Sequence, residues 1–96
     1  MNRTSIPSDA GMIFLFQSKT TLSFYMKDTK IPLSIAFFDV NGKIESILDM
    51  DPCTKSPCRT YNPGVPYSGA LEVNQGSFGK WGVVTGDTLH LTQSGT

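Results

Sequence analysis

Asn41-Gly42, with Leu33, Ile35 and Phe37 before it and Ile44, Ile47, Leu48 and Met50 after it, constrains this chain more than any other feature. A type I′ turn needs positive φ at both central residues, and Asn and Gly adopt it at least cost. The dipeptide therefore predicts an antiparallel hairpin turning at those two residues. In its first strand Leu33, Ile35 and Phe37 alternate with Ser34, Ala36 and Phe38, the period of a pleated chain. Pro32 stands at the head of that strand, where a missing N–H breaks no central ladder. On the return the adjacent pair Ile47-Leu48 interrupts the alternation and predicts a bulge.

Other segments carry the same signal. Met12, Ile13, Phe14, Leu15 and Phe16 form a short continuous apolar run, which reads as a strand buried on both faces. In residues 21–26, Leu22, Phe24 and Met26 alternate with Thr21, Ser23 and Tyr25, again a strand. Residues 51–69 change character: Pro52, Pro57, Pro63, Pro66, Gly64 and Gly69 predict a long ordered loop without regular structure, a length usually tied to function or disorder. Leu71 and Val73 resume a strand with Glu72 facing the other way. Residues 74–82 predict one helical turn, with Asn74 as N-cap and Gly82 at C′. Leu89 and Leu91, alternating with Thr88, His90 and Thr92, predict a last strand. The expected fold is all-β, or β-rich α+β: a single domain over residues 1–96, six to seven short strands in an open barrel or sandwich, and at most one short helix.

Charge excludes some partners. Eight basic residues balance eight acidic ones, and charged residues are only 17% of the chain. Nucleic acids and anionic membranes are bound through clustered cations, and none occurs here. No apolar run approaches the roughly 18 residues of a membrane span. The first residues also lack the basic and apolar regions of a signal peptide.

Several blocks resemble one family. Residues 11–16, Phe24-Tyr25-Met26-Lys27-Asp28-Thr29-Lys30-Ile31-Pro32-Leu33, and Ala36-Phe37-Phe38-Asp39 with Asn41-Gly42-Lys43 resemble the domain of unknown function 192 family. Pro52-Cys53 with Cys58 and Tyr61, residues 70–76, and Gly86-Asp87 continue the likeness, in order, over nearly the whole chain. The resemblance implies a small β-rich bacterial or archaeal domain without established enzymatic activity, exported in many relatives. Tyr25 stands where that pattern has Trp, Asp28 where it has Asn, and Ser34 where it has Asp. The last change removes a potential charge partner of Lys27 or Lys30. The family's segment before Gly11 is expected to be shortened here. That expectation leaves the strand of residues 12–16 as a sheet edge, through which two copies could pair as a homodimer.

Candidate chemistry is sparse. Lys27 and Asp28 follow one strand, Glu72 lies within another, and Asp87 occupies a Gly-Asp turn. A functional reading gathers these four at one end of the sheet as a polar ligand pocket; the alternative is solvated loop charge worth about 0–1 kcal/mol. Cys53 and Cys58 read as a small disulfide staple in preference to a redox pair or a metal site. Zinc wants four Cys or His ligands, and only His90 remains besides these two. There is no phosphate-binding loop and no nucleophile elbow. Asp39-Val40-Asn41-Gly42 lacks the later ligands of a calcium loop. No cofactor is expected. The reading favours a non-catalytic module for a small polar ligand or a protein partner. Its alternatives are an enzyme using Lys27 with Glu72 or Asp87 as acid and base, and a structural accessory working through a sheet edge.

Overall fold

The computed structural model describes residues 11–89. Six strands and one helix follow in order: β1 Gly11–Thr20, β2 Phe24–Tyr25, β3 Leu33–Phe38, β4 Ile44–Met50, β5 Thr60–Tyr61, β6 Tyr67–Asn74 and α1 Ser77–Lys80. Four strands form an antiparallel sheet in the order β1-β6-β3-β4, and β2 pairs with β5 as a second small sheet. Among the described residues the strands do not close into a barrel. The fold is β-rich, in two sheets with one short helix.

All six residues of β3 are buried, because β3 is flanked by β6 and β4 and covered on both faces. On one face Leu33, Ile35 and Phe37 join Met50, Tyr67 and Ala70. Phe24 and Tyr61, directly opposite each other in the small sheet, complete that core from above. The Phe37 ring packs edge-on against Tyr67, with centroids 4.8 Å apart, and against Phe24 at 5.9 Å. Tyr67 is itself buried; its hydroxyl donates to the Leu22 carbonyl, and burial holds its phenol above the ordinary pKa of 10.0. On the opposite face Ala36, Ile44 and Val73 pack under Phe78 of α1, with Val83 and Leu89 alongside. The alternation seen in the sequence of β3 thus divides the sheet between two cores.

Local expectations fared differently. The apolar run 12–16 is a strand, but not one buried on both faces. Among the described residues β1 is an edge strand with one face on the core: Phe14 and Phe16 lean on it while Leu15, 64% exposed, points outward. The strand expected over residues 21–26 shrinks to Phe24–Tyr25. The hairpin joins β3 and β4, although its turn is wider than type I′. Only Gly42 has positive φ, at 84°; the Gly42 N–H donates to the Asp39 carbonyl at 3.0 Å, and the Asp39 N–H donates to Lys43 at 2.9 Å. The reason is Asp39, whose carboxylate accepts from the N–H groups of both Asn41 and Lys43 at 2.9 Å and fixes a longer loop. Gly42 is also where the chain passes Leu89, whose N–H donates to the Gly42 carbonyl at 2.7 Å.

The ladder continues straight through Ile47 and Leu48. Its irregularity falls instead between Phe37 and Phe38, opposite the start of β4. Ile47 and Leu48 are both apolar because the two cores lie on opposite faces of β4. The helix is shorter than residues 74–82 and is capped at Gly76 rather than Asn74; Gly82 follows the C-cap Trp81 with φ 69°. Thr88 makes an isolated bridge to Lys43, and the rest of the expected last strand, His90 included, lies outside the described residues.

Replacing Phe37 with Ala should cost about 3–5 kcal/mol, since it opens a cavity in the larger core. Leu15→Ala should stay within about 0.5 kcal/mol, because that side chain is on the open face of an edge strand. Urea unfolding of the two variants measures both. Equal losses would contradict the placement of β1.

Candidate functional site

The site begins with a single residue. Cys53 follows β4 and takes part in two isolated bridges, parallel to Lys27 and antiparallel to Thr29. Its carbonyl accepts from the Asp28 N–H at 2.9 Å, and its own N–H donates to the Thr29 carbonyl at 3.3 Å. The turn leading out of β2 closes on itself at the same point, the Thr29 N–H donating to the Met26 carbonyl at 2.9 Å. This geometry requires Asp28 to adopt φ 60°, which Asp and Asn tolerate better than other side chains. Cys53 and Cys58 are joined in a disulfide, with Cα atoms 5.9 Å apart. The bridge folds residues 53–58 into a small ring.

Beside this ring lies a cleft of about 190 Å3, lined by Met26, Asp51, Pro52, Cys53, Arg59 and Tyr61. Tyr61 organises it. The residue is buried, and its hydroxyl accepts from the Asp51 N–H at 3.2 Å. The Arg59 guanidinium stands over the Tyr61 ring, 5.2 Å from its centroid. The expected structureless loop of residues 51–69 is therefore interrupted: Thr60–Tyr61 pairs with β2, and β6 begins at Tyr67. That pairing positions one wall of the cleft.

Of the expected site residues, Lys27 and Asp28 flank the cleft through their contacts with Cys53. Lys27 Nζ donates to the Thr54 carbonyl at 3.4 Å and sits 3.9 Å from the Asp28 carboxylate. Both side chains are substantially exposed, so this ion pair contributes little, about 0–1 kcal/mol. Glu72 is fully buried, opposite Met12 on one side and Ile35 on the other, at the middle of the large sheet. Asp87 stands elsewhere. Its carbonyl accepts from the Ile44 N–H at 2.8 Å, at the far end of β4 from Cys53, and its carboxylate accepts from the Val84 N–H at 2.9 Å. With strand residues rising about 3.4 Å each, the length of β4 separates Asp87 from Lys27 by roughly 20 Å. The four charges do not share one end of the sheet. Ser34, at the position where the family pattern has Asp, donates from Oγ to Asp49 Oδ1 at 2.7 Å.

Asp51, Arg59 and Tyr61 were not singled out as a group by the sequence. One signal was present: residues two apart in an extended segment face the same way, which puts Arg59 beside Tyr61.

The comparisons agree with this architecture. The profile of the DUF192 family, described as Uncharacterized ACR, matches residues 1–91. The chain belongs to this family. No protein of curated function matches the chain in sequence. Among solved structures, a Sinorhizobium meliloti protein described as a candidate transcription regulator is 30% identical, with a TM-score of 0.79 over 92% of this chain and 67% of its own. A protein of unknown function from Novosphingobium aromaticivorans is 29% identical, with a TM-score of 0.76 over 92% of this chain and 61% of its own. These comparisons establish a family and a fold, and the family has no characterised function.

The Cys53–Cys58 ring closes only a short loop, so the chain-entropy argument gives it about 2 kcal/mol of stability. The Cys53→Ser, Cys58→Ser double variant should therefore unfold at lower denaturant by that amount while keeping its β-sheet circular dichroism. A loss of the whole fold would mean that the ring supports the sheets and not just the cleft.

Proposed function

We propose that this domain is a non-catalytic binding module whose site is the cleft beside the Cys53–Cys58 ring. One observation carries the reading. Two segments far apart in sequence, residues 26–29 and 51–61, are tied together at Cys53, and beside that tie they form a concave surface carrying charged, aromatic and apolar side chains. Concave sites with a few convergent polar groups are where small molecules bind. A volume of about 190 Å3 suits a ligand smaller than the drug-sized molecules that fill typical pockets of roughly 300–1,000 Å3.

Of the enzyme alternative, which pairs Lys27 with Glu72 or Asp87, the Asp87 version has no geometric support, since Asp87 is bonded at the start of β4 and Lys27 lies beside Cys53, past its end. The relative described as a candidate transcription regulator raises nucleic acid as a partner. Equal numbers of basic and acidic residues make direct phosphate-backbone contact a poor fit for this chain. Self-association through β1 is a second reading, favoured by the outward exposure of Ile13 and Leu15 on a strand that is at the sheet edge among the described residues.

A screen of small polar metabolites by two-dimensional amide NMR tests the site. Binding should shift resonances of residues 26–29 and 51–61 and leave those of residues 84–88 unmoved. Ligand-induced shifts confined to residues 84–88, or to the outer face of β1, would place the function elsewhere.

A further inference from the structure

We infer that the cleft takes a small dipolar ligand carrying one carboxylate and one ammonium group, with Arg59 reading the first and Asp51 the second. The inference rests on the binding-module reading and narrows it to a chemical class.

Arg59 and Asp51 line the same cleft with opposite charges. Among the described residues neither forms an ion pair, with the other or with any other side chain; the ion pair on this side of the domain is Lys27–Asp28. The two opposite charges on one concavity are not spent on each other, so each can meet a ligand group of its own. Both are located by one buried ring. Tyr61 carries the Arg59 guanidinium on its face at 5.2 Å and accepts the Asp51 N–H at its hydroxyl at 3.2 Å.

A cation–π contact with an aromatic face holds a guanidinium without using its N–H groups. The planar fork stays available for a planar anion, and a carboxylate matches it with two parallel hydrogen bonds. An ionised Asp51 side chain only accepts, so its counterpart must be a donor, and an ammonium supplies both donors and charge. The two protein charges cancel. A ligand with a single charge would leave one of them unmatched, whereas a dipolar ion satisfies both. Met26, Pro52 and the Cys53 sulfur supply the apolar part of the lining, against which a short carbon skeleton can rest. At about 190 Å3 the cleft accommodates a ligand the size of a free α-amino acid.

The test titrates the oxidised protein with free α-amino acids, followed by amide NMR, alongside the N-acetyl and carboxamide derivative of each one that binds. At least one amino acid should shift residues 51–61. Its two derivatives, each lacking one charge, should bind about tenfold or more weakly, the worth of one charge-assisted hydrogen-bonded contact. Arg59→Gln should weaken the parent compound by a similar factor. Asp51→Asn should abolish the preference for the free amine over its N-acetyl form while keeping the preference for the carboxylate. Both residues are exposed, so the variants should keep the parent thermal midpoint.

If the derivatives bind as well as the parent, the dipolar inference falls and the binding-module reading stands. If no amino acid shifts the cleft while other metabolites do, the dipolar inference falls in the same way and the module reading again stands. If nothing in either screen moves these residues, both fail.

Discussion

The backbone exchange between Cys53 and the turn at Asp28 and Thr29 is the interaction on which the cleft-bearing half of this domain depends. Those two hydrogen bonds, at 2.9 and 3.3 Å, join the segment leaving β2 to the segment leaving β4. Without them the Cys53–Cys58 ring would be a tethered loop on the surface, and the wall of the cleft at Cys53 would have no fixed place. The left-handed conformation at Asp28 costs about 1–2 kcal/mol for an ordinary side chain, less for Asp. The backbone bonds formed around it offset that strain, each contributing about 0.5–1.5 kcal/mol.

Beneath this clamp the larger core supplies rigidity. Phe24, Phe37, Tyr61 and Tyr67 bring both sheets into one packed unit, with Met26 and Met50 filling around them. Tyr61 belongs to that core and to the cleft at once. Its ring is buried with Phe24 and its partners, while its hydroxyl meets Asp51 and one face carries Arg59. The positions of the two charges are therefore inherited from side-chain packing rather than from the loop itself. The opposite face of the sheet, covered by Phe78, Val83 and Leu89, takes no part in the cleft, and Asp87 belongs to that side of the molecule.

Much of the fold was legible in the sequence because it rests on local alternation. β3 was readable from Leu33, Ile35 and Phe37, and its return strand from the Asn41-Gly42 turn. Details that depend on competing side chains were not. Asp39 captured two backbone N–H groups and widened the turn, which no dipeptide rule anticipates. The run of residues 12–16 looked doubly buried because an edge strand with apolar residues on its open face has the same composition as a central one. The site was legible only in part. Lys27 and Asp28 stood out because they are at a strand end, and they flank the cleft without lining it; Cys53 and Cys58 stood out for their spacing. Asp51 and Arg59 were missed, since their relation passes through Tyr61 and through a strand pair, Phe24–Tyr25 with Thr60–Tyr61, only two residues long. Asp87 was grouped wrongly because lying at a strand end does not say which end of the sheet it occupies.

Amide hydrogen exchange at Asp28, Thr29 and Cys53, compared between oxidised and reduced protein, tests the clamp most directly. In the oxidised protein these three amides should be protected together. On reduction they should exchange faster as a group, along with Asp51, while the β3 and β6 amides keep their protection. Rapid exchange at all three in the oxidised protein, or loss of β3 and β6 protection on reduction, would contradict the account.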